Sequence, residues 1–111
     1  MPRNFRTYDE SLKFYRLCEG VKCPLHFRDQ LLRASSSIAL NLSEGSARPT
    51  RKDRRRYFYI AMSSLRECQT ILDLAGGSED ARQAADRLGG QLYKLIHALT
   101  PTREELENSA S

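Results

Sequence analysis

Four stretches of helical periodicity, each closed by glycine or proline shortly before the next begins, leave this 111-residue chain few ways to bury its apolar side chains. The first runs from about Tyr8 to Glu19. Thr7 with Glu10 makes a capping-box pair, and Phe5, Tyr8, Leu12 and Tyr15 recur at helical spacing, as one buried face requires. Gly20 and Pro24 end it. The second stretch, from about Leu25 to Ala47, keeps a heptad seam of Leu31, Ser35, Ile38, Leu42 and Gly45, and Pro49 stops it. The third starts after Thr50, whose hydroxyl is placed to cap while Asp53 suits the positive end of the helix dipole. Its stripe is Tyr57, Ala61, Leu65, Cys68 and Leu72, widened by Phe58 and Met62 on one side and Ile60 and Ile71 on the other. Tyr59, Ser63, Arg66, Thr70 and Asp73 are left as its wet face. Gly76 and Gly77 allow a tight reversal, and Ser78 opens a fourth stretch carrying Ala81, Leu88, Leu92, Leu95 and Leu99 until Pro101 closes it. Thr102 and Glu105 repeat the capping-box pattern ahead of the polar end NSAS.

Connections this short set consecutive helices side by side in opposite directions. The sequence therefore predicts an all-α fold, an antiparallel up-down four-helix bundle forming one domain over residues 1–111, with a tail from about 103 to 111 expected to fray. The alternative is a helical hairpin that completes its core only in an oligomer. No segment has the period-two alternation of a strand. Hydrophobic residues make up 40% of the chain, enough for one core, and no apolar run approaches the ~20 residues of a membrane span. The start MPRNFRTYDE holds no apolar leader, so a cytoplasmic protein is expected. Cys18, Cys23 and Cys68 are odd in number and lack C-x-x-C spacing. They read as reduced thiols, with Cys18 and Cys68 packed as small hydrophobes.

Two features exceed what a simple bundle needs. The first is the second helix, apolar or small around nearly its whole circumference. Phe27, Leu31, Ala34, Ile38 and Leu42 occupy one face, and Leu32, Ser36, Ala39, Leu40 and Ser43 much of the other. A second buried face follows, and the expected partner is another copy of the chain, with Leu32 and Leu40 in the oligomer interface. Gly89 and Gly90 are assigned to the same interface, because each mid-helix glycine costs roughly 1 kcal/mol against alanine and a close backbone approach must offset that. The polar strip left on the second helix is Gln30, Arg33, Ser37, Asn41, Glu44 and Arg48. Arg33, Ser37, Asn41 and Glu44 are expected to form a structural polar network that fixes helix register, since a buried amide or carboxylate has to find a partner.

The second feature is charge. Net charge is +4, yet RPTRKDRRR between Arg48 and Arg56 alone sums to +5 through Arg48, Arg51, Lys52, Arg54, Arg55 and Arg56 against Asp53. The remainder of the chain is nearly neutral, so the basicity is one patch. Arg48, Arg51, Lys52, Arg54, Arg55 and Arg56 are all expected to contact nucleic-acid phosphates; Arg54 continues the core side of its helix and is expected to be partly covered, while Arg51, Lys52, Arg55 and Arg56 project into water.

Nothing points to catalysis. His26 and His97 stand alone, Glu44 and Glu67 have nothing to place them in a cleft, and neither G-x-x-x-x-G-K-[ST] nor G-x-G-x-x-G occurs. No enzyme, metal or cofactor is expected.

The stretch from Leu31 to Ala75 resembles a bacterial family called four-helix-bundle proteins, whose first members are encoded by intervening sequences within large-subunit (23S) ribosomal RNA genes. The resemblance rests on the L-x-R-A-x-x-S-I-x-x-N-x-x-E-G run, here Leu31, Arg33, Ala34, Ser37, Ile38, Asn41, Glu44 and Gly45, and on S-L-x-E, here Ser64 to Glu67. Where relatives commonly have Arg-Gly before Ser-Leu, this chain has Met62-Ser63. The resemblance implies an up-down bundle assembled as a homopentamer, a nucleic-acid role and no enzymatic activity. More distantly it implies kinship with accessory proteins of diversity-generating retroelements, which bind a reverse transcriptase. The expected function is thus a non-enzymatic oligomer binding RNA or DNA through the basic junction. The alternative is a scaffold that docks a protein partner such as a nucleic-acid enzyme, its basic run serving solubility.

Overall fold

The computed structural model describes residues 5–110, with side chains through 109. Its four main helices are α1 (Arg6–Glu19), α2 (Leu25–Ser46), α3 (Arg51–Ala75) and α4 (Glu79–Leu99), followed by a short α5 (Arg103–Ala110). Local chemistry sets most of the boundaries. The Thr50 hydroxyl accepts the Asp53 N–H at 3.1 Å at the start of α3, and the Ser78 hydroxyl accepts the Ala81 N–H at 3.1 Å at the start of α4. Gly76 closes α3 in the left-handed region at φ 70°, and the Gly77 N–H returns to the Leu72 carbonyl at 3.0 Å. The Thr102 hydroxyl likewise accepts the Glu105 N–H at 3.0 Å, and α5 extends the expected terminal turn with exposed side chains.

Helix packing closes a ring in the order α1, α2, α3, α4 and back to α1, with no diagonal pair in contact among the described residues. This is an all-α four-helix bundle. Contacts between α2 and α3 run in opposite order along the two helices: Gly45 meets Phe58, Ser37 meets Ser64 and Arg33 meets Glu67. The seam expected on α2 is the buried one, since Leu31, Ser35, Ile38, Leu42 and Gly45 are all inside. Gly45 is there for room: a Cβ would stand 2.8 Å from Phe58 Cε1 and 2.9 Å from Tyr57 Cβ, so the end of α2 lies tight against the start of α3.

The first helix differs from expectation. Its buried face is Thr7, Ser11, Phe14 and Cys18, while Leu12 is 41% exposed and Tyr15 is half-buried. The helix is turned by one residue so that small side chains meet α2 and α4 and Phe14 fills the centre. Ser11 remains satisfied inside by donating to the Tyr8 carbonyl at 2.6 Å. Thr7 lies within α1 and is buried there; the cap position belongs to Phe5, which supplies no side-chain bond, so the Thr7–Glu10 capping box does not form. On α3, Tyr57 is half-buried and Ile60 is 40% exposed, and Phe58 and Ile71 take the core positions instead. On α4, Ala84, Ala85 and Ile96 join Ala81, Leu88 and Leu92 in the core, and Leu95 and Leu99 lie at its margin.

Cys18 and Cys68 are fully buried and unpaired. Burial pushes the Cys18 thiol up to about 12, a hydrogen bond with Ser35 opposing this in part. Burial raises Cys68 as well, reinforced by the nearby Cys18 and Glu67.

Candidate functional site

The chemistry of this chain concentrates where α2 ends, α3 begins and the C-terminus of α4 arrives beside them. Pro49 and the Thr50 cap force the turn between α2 and α3, so Arg48 through Arg56 occupy one end of the bundle within a single linker and two helical turns. Glu44 in the last turn of α2 pairs with Arg48 of the linker that follows it, and the same guanidinium donates to the Tyr57 hydroxyl at 3.2 Å and lies 4.9 Å from its ring centre. Arg48 Nε is buried with no acceptor among the described residues. Arg54 is half-buried, as expected, and its Nε donates to the Arg48 carbonyl at 2.6 Å.

Arg51 and Arg55 do something the sequence did not announce. Arg51 donates to the Ala98 carbonyl at 2.9 Å and pairs with Glu105 at 3.4 Å, while Arg55 donates to the Leu99 carbonyl at 3.2 Å. Both accept a structural duty at the end of α4, where carbonyls have no intrahelical partner and the dipole favours a cation. Arg51 is nevertheless exposed, as expected, while Arg55 is half-buried, so both carry capping bonds that the sequence did not predict. Lys52 and Arg56 alone of the six make no hydrogen bond or ion pair among the described residues, and Arg56 lies 5.6 Å from the Tyr57 ring centre. Six cations share this end with Glu44, Asp53 and Glu105, so half of the positive charge is unmatched by carboxylate. A groove of about 660 Å³ runs beside them, lined by Lys52, Asp53, Arg55, Arg56, Tyr59 and Ile60.

The polar strip of α2 extends from this end along the α2–α3 boundary. Arg33 pairs with Glu67 of α3, the Ser37 and Ser64 hydroxyls share a hydrogen bond at 2.9 Å, and the Asn41 amide donates to the Ser37 carbonyl at 2.8 Å and hydroxyl at 3.1 Å. Ser37 and Asn41 form one polar cluster with Ser64 of α3, Arg33 pairs separately with Glu67, and Glu44 joins Arg48 instead of the cluster. These polar contacts face water rather than the core: the Arg33 side chain is 62% exposed and that of Glu44 is 51% exposed.

A family model described as 23S rRNA-intervening sequence protein matches residues 6–100, nearly the whole chain and all four main helices. The chain belongs to that family. Direct comparison with curated proteins finds no match. The family motif of α2 now has a physical reading in this intervening-sequence protein. Leu31, Ala34, Ile38 and Gly45 are core or close-approach positions, and Arg33, Ser37 and Asn41 contact α3 or one another.

Of the residues assigned to an oligomer interface, Leu40 is 69% exposed and Leu32 is half-buried against the core. Helix α4 runs unbroken through Gly89 and Gly90. A Cβ on Gly89 would sit at an ordinary 3.5 Å from Leu65, and one on Gly90 would meet nothing within 4 Å, so packing within the chain requires neither glycine. Among the described residues no three His, Cys, Asp or Glu side chains gather in a metal-binding group, and no helix is long and apolar enough to cross a membrane.

Proposed function

We propose that this protein binds nucleic acid without catalysing a reaction, as a cytoplasmic homo-oligomer whose phosphate contacts come from the α2–α3 junction. The single observation that carries this reading is the excess of positive charge at one end of the bundle, where exposed Lys52 and Arg56 make no hydrogen bond or ion pair among the described residues and Arg56 lies over the Tyr57 ring. Arg51 and Arg55 keep their charge while capping α4, so they add to the same field. Self-association would repeat the patch by symmetry. The pentamer that the family resemblance implies would sum the local +5 of Arg48–Arg56 to about +25 on one rim, a field suited to a polyanion. The exposed Leu40 and the unused space at Gly90 support self-association.

The test is fluorescence anisotropy against RNA, single-stranded DNA and duplex DNA across a salt series. Each lost phosphate contact lowers the log-log salt slope by about 0.7 on a single strand and about 0.9 on a duplex. The Lys52→Gln, Arg56→Gln variant touches no capping bond and is expected to lose about two such contacts, with its oligomeric mass by light scattering unchanged. Binding as tight as the parent at every salt concentration would leave the basic run as a solvated helix start. The docking scaffold for a protein partner would then become the better reading, and the proteins recovered with the tagged chain after nuclease treatment would identify that partner.

A further inference from the structure

The groove beside the basic junction continues along the bundle. A second groove of about 350 Å³ adjoins it, lined by Tyr59, Met62, Arg66, Tyr93, Ile96, His97 and Thr100, and Tyr59 belongs to both. Tyr59 is 55% exposed and Tyr93 is 65% exposed, and neither makes a hydrogen bond among the described residues. Tyr93 lies nearly parallel to His97 one turn on, with ring planes 7° apart and centres 6.0 Å apart. Folding leaves these large flat rings in water, although burying such a ring ordinarily stabilises a small domain.

The cations of this face are interleaved with its rings. Lys52, Arg55, Arg56 and Arg66 line the two grooves, and Asp53 is the one carboxylate lining either. From Lys52 to Arg66 the face extends about 21 Å along α3, at 1.5 Å per residue. We infer that, resting on the nucleic-acid reading above, this α3–α4 face makes the protein a single-strand binder, with unpaired bases stacking on Tyr59 and on the Tyr93–His97 pair while Lys52, Arg56 and Arg66 hold the backbone. Exposed rings alternating with cations are what an unpaired strand needs, because every base has a π-face and the phosphates follow the charge. A duplex keeps its bases stacked inside and offers only phosphates to the same surface. A second copy of the chain is the competing occupant. An isologous contact of this face with itself would set Arg56 and Arg66 against like charges, which disfavours it, and a heterologous contact with another face of a copy is read out by the subunit number in the test below.

The test compares fluorescein-labelled ten-nucleotide oligouridine and oligothymidine with a ten-base-pair RNA duplex, titrated with the full chain at several salt concentrations. The parent is expected to bind both single strands at least about 10-fold more tightly than the duplex. The Tyr59→Ala, Tyr93→Ala variant is expected to lose at least about 10-fold on the single strands with its duplex affinity and salt slope unchanged, because stacking on an aromatic ring is worth severalfold or more per base. Tyr59→Phe, Tyr93→Phe keeps the rings and should restore binding, which separates stacking from a hydroxyl contact. If the parent binds no polynucleotide, the nucleic-acid reading fails and this inference with it. Should the parent bind strand and duplex alike, or the alanine variant match it, the reading stands and this inference is overturned. A change in subunit number for the alanine variant also overturns it, by assigning the face to a contact between copies.

Discussion

The two ends of the bundle satisfy helix-terminal carbonyls with arginines in the same way but differ in the charge around those arginines. Near the α1–α2 and α3–α4 connections, Arg28 donates to the Glu19 carbonyl at 3.0 Å, and Arg82 donates to the Leu72 carbonyl at 2.9 Å while pairing with Asp73 at 3.0 Å. One arginine serves each helix C-terminus, and the α3–α4 turn also carries Glu79 and Asp80, so acid outweighs base there. At the α2–α3 junction, Arg51 and Arg55 serve α4 and Arg54 serves the end of α2, which is the same work. Capping therefore accounts for three of the six cations at that end and Arg48 is engaged by Glu44 and Tyr57, but neither role accounts for Lys52 and Arg56. The comparison isolates the part of the basic run that folding does not require.

Breaking the core between the two ends should have the largest effect. Leu65 is fully buried on α3 beside Gly89 of α4, and Leu65→Ala should lower unfolding stability by about 2–5 kcal/mol in a denaturant titration. A loss under about 1 kcal/mol would mean that the terminal contacts, not the shared core, hold the bundle.

Next come the arginines themselves. Arg82→Gln removes a carboxylate pair and a carbonyl bond at once and should lose about 1–2 kcal/mol, whereas Arg51→Gln with Arg55→Gln should lose about 1 kcal/mol together, both measured by equilibrium unfolding. Lys52→Gln with Arg56→Gln should stay within about 0.5 kcal/mol of the parent, as surface changes without a partner do. Equal losses at all three places would erase the distinction between capping cations and free ones.

Near neutral pH the smallest effect is expected from the thiols, whose contribution changes only in alkali. Burial raises the Cys18 thiol from its ordinary value of 9.0 to about 12, so its neutral form is the one that the core accepts. Its contribution is fully present below about pH 9 and declines as pH rises toward 12, with Cys68 acting in the same direction. Stability of the Cys18→Ala, Cys68→Ala variant should fall less steeply over that interval than stability of the parent. In native protein at neutral pH, the half-buried Cys23 should be alkylated well before either buried thiol.

How much was legible beforehand follows the range of the interaction. Helix ends were readable because a cap is settled within a few residues: Thr50 with Asp53, Ser78 with Ala81, and Gly76 at a positive φ each carry their own local reason. The α2 seam was readable because only one face of that helix fits a heptad of large and small side chains. The buried face of α1 was not, because Ser11 and Thr7 sit inside on account of how closely α2 and α4 approach, a distance that no periodicity within α1 encodes.

The same boundary divides the candidate site. The sequence by itself determined where the positive charge is, since Arg48 to Arg56 are neighbours along the chain and no fold could disperse them. Only the tertiary structure decided which of those cations are free. The carbonyls that occupy Arg51 and Arg55 belong to Ala98 and Leu99, more than forty residues away, and become acceptors only because α4 ends against the start of α3. Tyr59 and Arg66 on α3 and Tyr93 and His97 on α4 likewise form one face only once the two helices are packed. A charge run is a property of the covalent chain; a capped carbonyl or a shared groove is a property of distances between helices, which depend on every side chain in the core.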